Sequence, residues 1–245
     1  MAKATLKLLI AGTISTLLLF CRPGMAGPPY LTDDPIPTDF RHYEIYAFGA
    51  GTLLQGSVGS ETGIDFNYGV APNLQLTLEL PFVREPSGLS GLANVGLAAK
   101  YLFLSQDDFG LNVAFYPHLI LPSASANVGD RQMGIALPFW AQRDFGKWSI
   151  FGGGGCTLNR TRLSSDFCEA GLTVTREITD DLKLGMEVFH SGPTEPGAKA
   201  NTALGVGLTW EMNENYHVLA YWGPNLTHPT ANGRSNFYAA LLFAL

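Results

Sequence analysis

The sequence predicts an all-β fold: an antiparallel transmembrane β-barrel of about twelve strands that follows a cleaved signal peptide. Three observations carry this. The stretch Asn73 to Phe82 places Leu74, Leu76, Leu78, Leu80 and Phe82 in alternation with Gln75, Thr77 and Glu79, the period-two signature of a strand with one apolar and one polar face. Charged residues make up only 15% of the chain, against about 25% in a typical soluble protein, while glycine is abundant at 28 residues. After the first hairpin, the connections between successive apolar strands alternate between short and long, as they do in barrels with tight periplasmic turns and longer outer loops.

The chain divides into three parts. Residues 1–26 have the order of a secretory signal: Lys3 and Lys7, then an apolar run from Leu8 to Phe20, then the small residues of Gly24-Met25-Ala26. The run is too short for a transmembrane helix, and the bulky Phe20 before Cys21 argues against lipoprotein processing. Without Lys3, Lys7 and Arg22 the remaining chain carries 12 basic and 21 acidic residues, a formal charge of −9, which argues against a nucleic-acid partner. No later segment approaches 18 consecutive apolar residues. A secreted, apolar, strand-rich chain of this kind is expected in the bacterial outer membrane, where closure satisfies every backbone group within lipid. Residues 27–41 are rich in Pro and Asp and cannot form a strand interior; this lead segment either lies in the periplasm or folds up into the barrel. Residues 42–245 are the barrel.

Twelve strands are expected at 42–54, 58–69, 73–83, 91–104, 108–121, 131–143, 147–159, 166–178, 181–190, 200–211, 215–222 and 235–244. The short connections are Gly69–Asn73, Ser105–Asp107, Asp144–Gly146, Thr179–Asp180 and Met212–Glu214; the long ones are Arg84–Ser90, Pro122–Asp130, Arg160–Ser165, Ser191–Lys199 and Gly223–Arg234. An even strand number leaves both ends of the barrel on the periplasmic side. Parity assigns Ile64, Phe66, Leu97, Phe103, Ile135, Phe139, Met186 and Val206 to lipid, and Trp148, Trp210, Trp222 and Tyr101 fall near strand ends, where an aromatic girdle is expected.

The same parity turns Glu44, Asp65, Glu79, Lys100, His118, Lys183 and Glu187 inward. These are candidates for a charged solute path. The competing reading is an ion-pair network that fills a narrow barrel, since buried charges pair. Cys156 and Cys168 flank a predicted hairpin loop and share a face, as a cross-strand disulfide in an oxidising compartment requires; two free thiols are the alternative. Gly152 to Gly155 lacks the Gly-Lys-Ser/Thr of a phosphate loop and sits inside a strand pattern, where it permits crowding or sharp coiling. Catalysis is not expected. His190 and Ser191 are adjacent and so point to opposite faces of a strand, and the remaining histidines lack metal-site spacing. Neither a metal nor another cofactor is implied. The last strand, Phe237 to Leu245, is apolar at every second position to its end. This is similar to the insertion signal read by the barrel-assembly machinery, although that signal usually ends on an aromatic residue and this one ends on Leu245.

The segment Gly27-Pro28-Pro29-Tyr30-Leu31-Thr32-Asp33-Asp34-Pro35, leading through His42-Tyr43-Glu44-Ile45-Tyr46 into the first strand, resembles the start of the phenol-degradation meta-pathway (MetA-like) family. The resemblance implies an outer-membrane barrel that takes up small, often aromatic compounds, and it matches Thr32, Asp33, Asp34 and Pro35 to the family's lead motif. The expected partners are therefore outer-membrane lipid, the assembly machinery and a small-molecule solute. The expected function is a channel or transporter; its rival is a closed structural or interaction barrel whose lumen is filled and whose loops or lead segment bind a partner.

Overall fold

The computed structural model describes residues 29–128, 131, 133–160 and 164–245. The expected signal peptide, with Cys21, lies outside the described residues, as do parts of the connections at 122–130 and 160–165. Among the described residues fourteen strands form one antiparallel sheet: β1 (Tyr43–Leu53), β2 (Val58–Ala71), β3 (Leu74–Arg84), β4 (Ser90–Leu92), β5 (Gly96–Leu104), β6 (Asn112–Phe115), β7 (His118–Ile120), β8 (Gly134–Phe145), β9 (Trp148–Asn159), β10 (Phe167–Glu177), β11 (Leu182–Ser191), β12 (Asn201–Asn213), β13 (Tyr216–Pro224) and β14 (Ser235–Ala244). β4 with β5, and β6 with β7, are broken halves of single staves, so the closed barrel has twelve. Closure is made by β1 on β14, in register from Glu44 opposite Ala244 to Leu53 opposite Ser235, and is tied off by paired backbone hydrogen bonds between Tyr43 and Leu245. This closure leaves no open seam between β1 and β14, which is the condition for crossing lipid with strands.

Two staves differ from the regular strands that periodicity predicts. The one expected at 108–121 starts only at Asn112, because Gln106–Phe109 forms a single helical turn, α1, capped by the Ser105 side chain and ended by Gly110 in the left-handed region. It is then split at Tyr116-Pro117, where proline has no N–H for the ladder. The stave expected at 91–104 is interrupted at residues 93–95, where the following connection takes over the bonding: Ser125 Oγ accepts from Leu92 N–H, and Ser123 Oγ from Val95 N–H. A second short helix, α2 (Pro229–Asn232), sits in the β13–β14 connection. The tight turns lie at the end that carries both barrel termini. The β2–β3 and β8–β9 turns use residues able to enter positive φ, Asn73 and Gly146 respectively.

The faces follow the pleat. Leu76, Leu80 and Phe82 on β3, Ile135 and Phe139 on β8, and Leu204 and Val206 on β12 are exposed on the outside of the barrel. Trp148, Trp210, Trp222 and Tyr101 are exposed near strand ends. A continuous apolar exterior of this kind, on a chain whose polar side chains are turned inward, is the surface that lipid solvates. The Gly152–Gly155 run lies within β9, where a Cβ at any of the four would press into the backbone of β8 or β10. The glycines are there for close strand approach.

Candidate functional site

The inner face is built from alternate residues of every stave, and the lead segment is laid against it. Phe40 forms a parallel bridge with Gly69, and Arg41 N–H donates to Gly69 O at 2.8 Å, fixing the segment at the periplasmic rim. From there the chain climbs inside the barrel. Thr38 donates through both its N–H (2.8 Å) and its hydroxyl (3.0 Å) to Gln75 Oε1 on β3. Asp33 pairs with Lys100 on β5 at 3.2 Å, and Asp34 lies 3.8 Å from the same ammonium. Thr32 N–H donates to Glu187 Oε1 on β11 at 2.6 Å. Tyr30 donates to Gly207 O on β12 at 3.1 Å and packs edge-on against Phe151 and Tyr221. Three inner-face glycines make the seat. A Cβ at Gly171 would strike Thr32, one at Gly185 the Tyr30 hydroxyl, and one at Gly207 the Tyr30 ring. Glycine on those strands costs local β stability and in return admits a second layer of chain.

A polar network surrounds the seat. Gln75 Nε2 donates to Asn67 Oδ1 and Thr77 Oγ1, both at 2.9 Å, and Thr77 Oγ1 lies 3.0 Å from the Tyr116 hydroxyl. Lys100 Nζ also rests over the Tyr116 ring, 4.7 Å from its centroid, so its charge is shared between two carboxylates and an aromatic face. Burial drives the Asp33 carboxyl up, to about 7; Lys100 pulls it down and Asp34 pushes it further up. Beside this network Asp65 on β2 stands opposite Glu79 on β3, and Glu79 Oε1 lies 3.2 Å from His118 Nδ1 on β7.

Of the seven inward-facing candidates, the structure gathers Lys100 and Glu187 around the lead segment and Asp65, Glu79 and His118 beside it. Glu44, near the periplasmic end of β1, accepts from the Tyr46 hydroxyl at 3.2 Å. Lys183 stands near the periplasmic end of β11, opposite Thr209 and Glu177 in register, outside the cluster. Within the lead motif, Thr32, Asp33 and Pro35 are buried and Asp34 is half-buried. Tyr30 and Tyr116 belong to the site but were not among the candidates. Parity with His118 points Tyr116 inward, whereas Tyr30 sits in an aperiodic segment with no face to read. Cys156 and Cys168 are opposite each other across β9 and β10 and joined as a disulfide, on the outward face three residues short of the outer end of β9.

Above the lead segment, in the outer half of the barrel, is a cavity of about 180 Å³. Pro29, Tyr30 and Leu31 form its floor; Phe48, Phe189, Tyr221 and Tyr238 are among its walls; Glu61, Arg84, Glu169 and Lys199 contribute charge. An apolar, aromatic chamber with a few polar groups is the usual form of a small-molecule site. Among the described residues no helix is long and apolar enough to cross a membrane, and no three His, Cys, Asp or Glu side chains converge on a metal position.

A family model described as the MetA-pathway of phenol degradation matches residues 40–243. Among solved structures, an outer membrane channel from Pseudomonas putida F1 superposes with a TM-score of 0.67 at 14% identity, covering 86% of this chain and 97% of that one. The KdgM porin superposes at a TM-score of 0.57 with 11% identity, over 82% of this chain and 98% of that one. The NanC porin gives a TM-score of 0.59 with 12% identity, over 80% and 98%. No curated protein sequence matches the chain.

Proposed function

The chain belongs to the MetA-pathway of phenol degradation family, and on that premise we propose that it is an outer-membrane channel for small solutes, with aromatic compounds the class its outer chamber suits. The observation that carries the reading is the chamber itself: an aromatic-walled cavity set in the outer half of a lipid-facing barrel and continuous with a polar inner face. Its rings offer stacking and edge contacts to a flat apolar solute, and the charged groups around it keep it wet. The superposable structures, a channel and two porins, support the same reading. Catalysis has no support from the geometry of the nearest pair, since His190 faces out and Ser191 is buried on the inner face.

The test is planar-bilayer conductance of the refolded chain, followed by addition of phenol to the outer side. Stepwise ionic current that phenol blocks reversibly is the expected result. Absence of any conductance with and without the lead segment would sink the channel reading. A second reading, a closed barrel serving structure or partner binding, is favoured by one observation: the lead segment is tied to opposite walls through Lys100 and Glu187. Under that reading the full chain stays silent and only a chain lacking residues 29–39 conducts.

A further inference from the structure

Buried carboxylates and buried ammonium groups do not balance inside this barrel. Among the described residues Asp33, Asp65, Glu79 and Glu187 are all buried, against one buried lysine, Lys100, and that lysine is already engaged by Asp33 and Asp34. Glu187 takes the Thr32 N–H. The surplus sits at Asp65 and Glu79, which face each other in register across β2 and β3 and are each 1% exposed. Among the described residues both oxygens of Asp65 and Oε2 of Glu79 have no hydrogen-bond partner, and Glu79 Oε1 lies against His118. Two carboxylates brought together away from water cannot both stay ionised without a positive charge between them.

The pair is one side chain away from the outer chamber. His118, which touches Glu79, is also part of the chamber wall. Glu61, another wall residue, lies on the same face of β2 as Asp65 with only Gly63 between them. We propose that the Asp65–Glu79 pair is a transit site for monovalent alkali cations and makes the pore cation-selective. This rests on the channel reading above. Among the described residues no third carboxylate, histidine or cysteine completes a chelating set, so the ion is held loosely, as conduction requires of a site that must also release.

The experiment is the reversal potential of the full chain in a planar bilayer under a KCl gradient. A several-fold preference for K⁺ over Cl⁻ is expected, falling toward unity in the D65N/E79Q double variant and unaffected by E177Q on the exposed periplasmic end of β10. A wild-type channel that conducts without cation preference overturns the proposal. So does a double variant with unchanged preference. Should the variant fail to fold, the wild type alone decides: replacing K⁺ by N-methyl-D-glucamine at constant chloride collapses the current if cations carry it, and an undiminished current overturns the proposal. A wild type with no conductance at all overturns this inference, and it removes the channel reading as well if the chain lacking residues 29–39 is also silent.

Discussion

Lys100 shows how much one side chain can hold in a narrow lumen. It is buried, reaches two carboxylates on a different segment of chain, and lies over an aromatic ring. Removing one partner of a buried ion pair costs about 3–5 kcal/mol, because the other charge is left desolvated and alone. In K100M that cost falls on the docking of the lead segment, since the barrel wall has its own closed ladder. The expected outcome is a barrel that folds normally with residues 29–39 open to protease. Asp33 adds a pH dependence. Its carboxyl sits at about 7 when docked, against an ordinary 3.8, so the docked form binds the extra proton between those values. Docking is therefore favoured at the acid end and weakens as pH rises through about 7. Protease access to the lead segment should be greater at about pH 8.5 than at about pH 5.5, and D33N should flatten the difference. Sequence parity was sufficient to turn Asp65, Glu79, Lys100 and Glu187 inward, because a strand has only two faces. It could not pair Lys100 with Asp33, since that contact depends on how an aperiodic segment lies across the lumen.

At the level of elements, the lead segment is paired with a groove of glycines. Gly171, Gly185 and Gly207 come from three adjacent strands, and each gives up a side chain where Tyr30 or Thr32 passes. A G171V substitution should displace the segment without altering any charge, raising single-channel conductance while leaving the apparent mass and heat-modifiability of the barrel intact. If conductance stays at the wild-type level, the seat is not what limits the pore. The regular strands were legible because alternation is a local signal. The two broken staves were less so. Pro117 shows in the sequence as a missing donor, but the gap at 93–95 is repaired by Ser123 and Ser125 some thirty residues further on, a distance over which periodicity carries no information. The hairpin of β9 and β10 carries its own staple. Opening the Cys156–Cys168 bond frees a loop whose closure is worth about 3 kcal/mol by chain entropy, so C156S/C168S should lower the urea midpoint of the barrel in lipid without changing conductance.

The whole molecule inverts the arrangement of a soluble protein, and that inversion is itself testable. Leu80, exposed in the outer band of β3, should tolerate Met but not Arg; a charge near the bilayer midplane costs about 2–4 kcal/mol in barrels of this type, read as a loss of unfolding free energy in lipid vesicles. The fold class was legible at this scale because low charge, strand rhythm and alternating connections all express a single constraint, that no backbone group may meet lipid unpaired. What fills the lumen was not, because a barrel wall is compatible with an empty, lined or occupied interior.

The seat of the lead segment also sets an order of events. Its contacts come from β3, β5, β9, β11, β12 and β13, which are brought around a common space only after β14 has met β1. The stretch nearest the start of the barrel is thus the last to find its place, and each newly inserted molecule passes through a moment when its wall is complete and its interior is still vacant. Cells making this protein should leak more during its synthesis than after it, and the excess should end at the rate at which residues 29–39 settle.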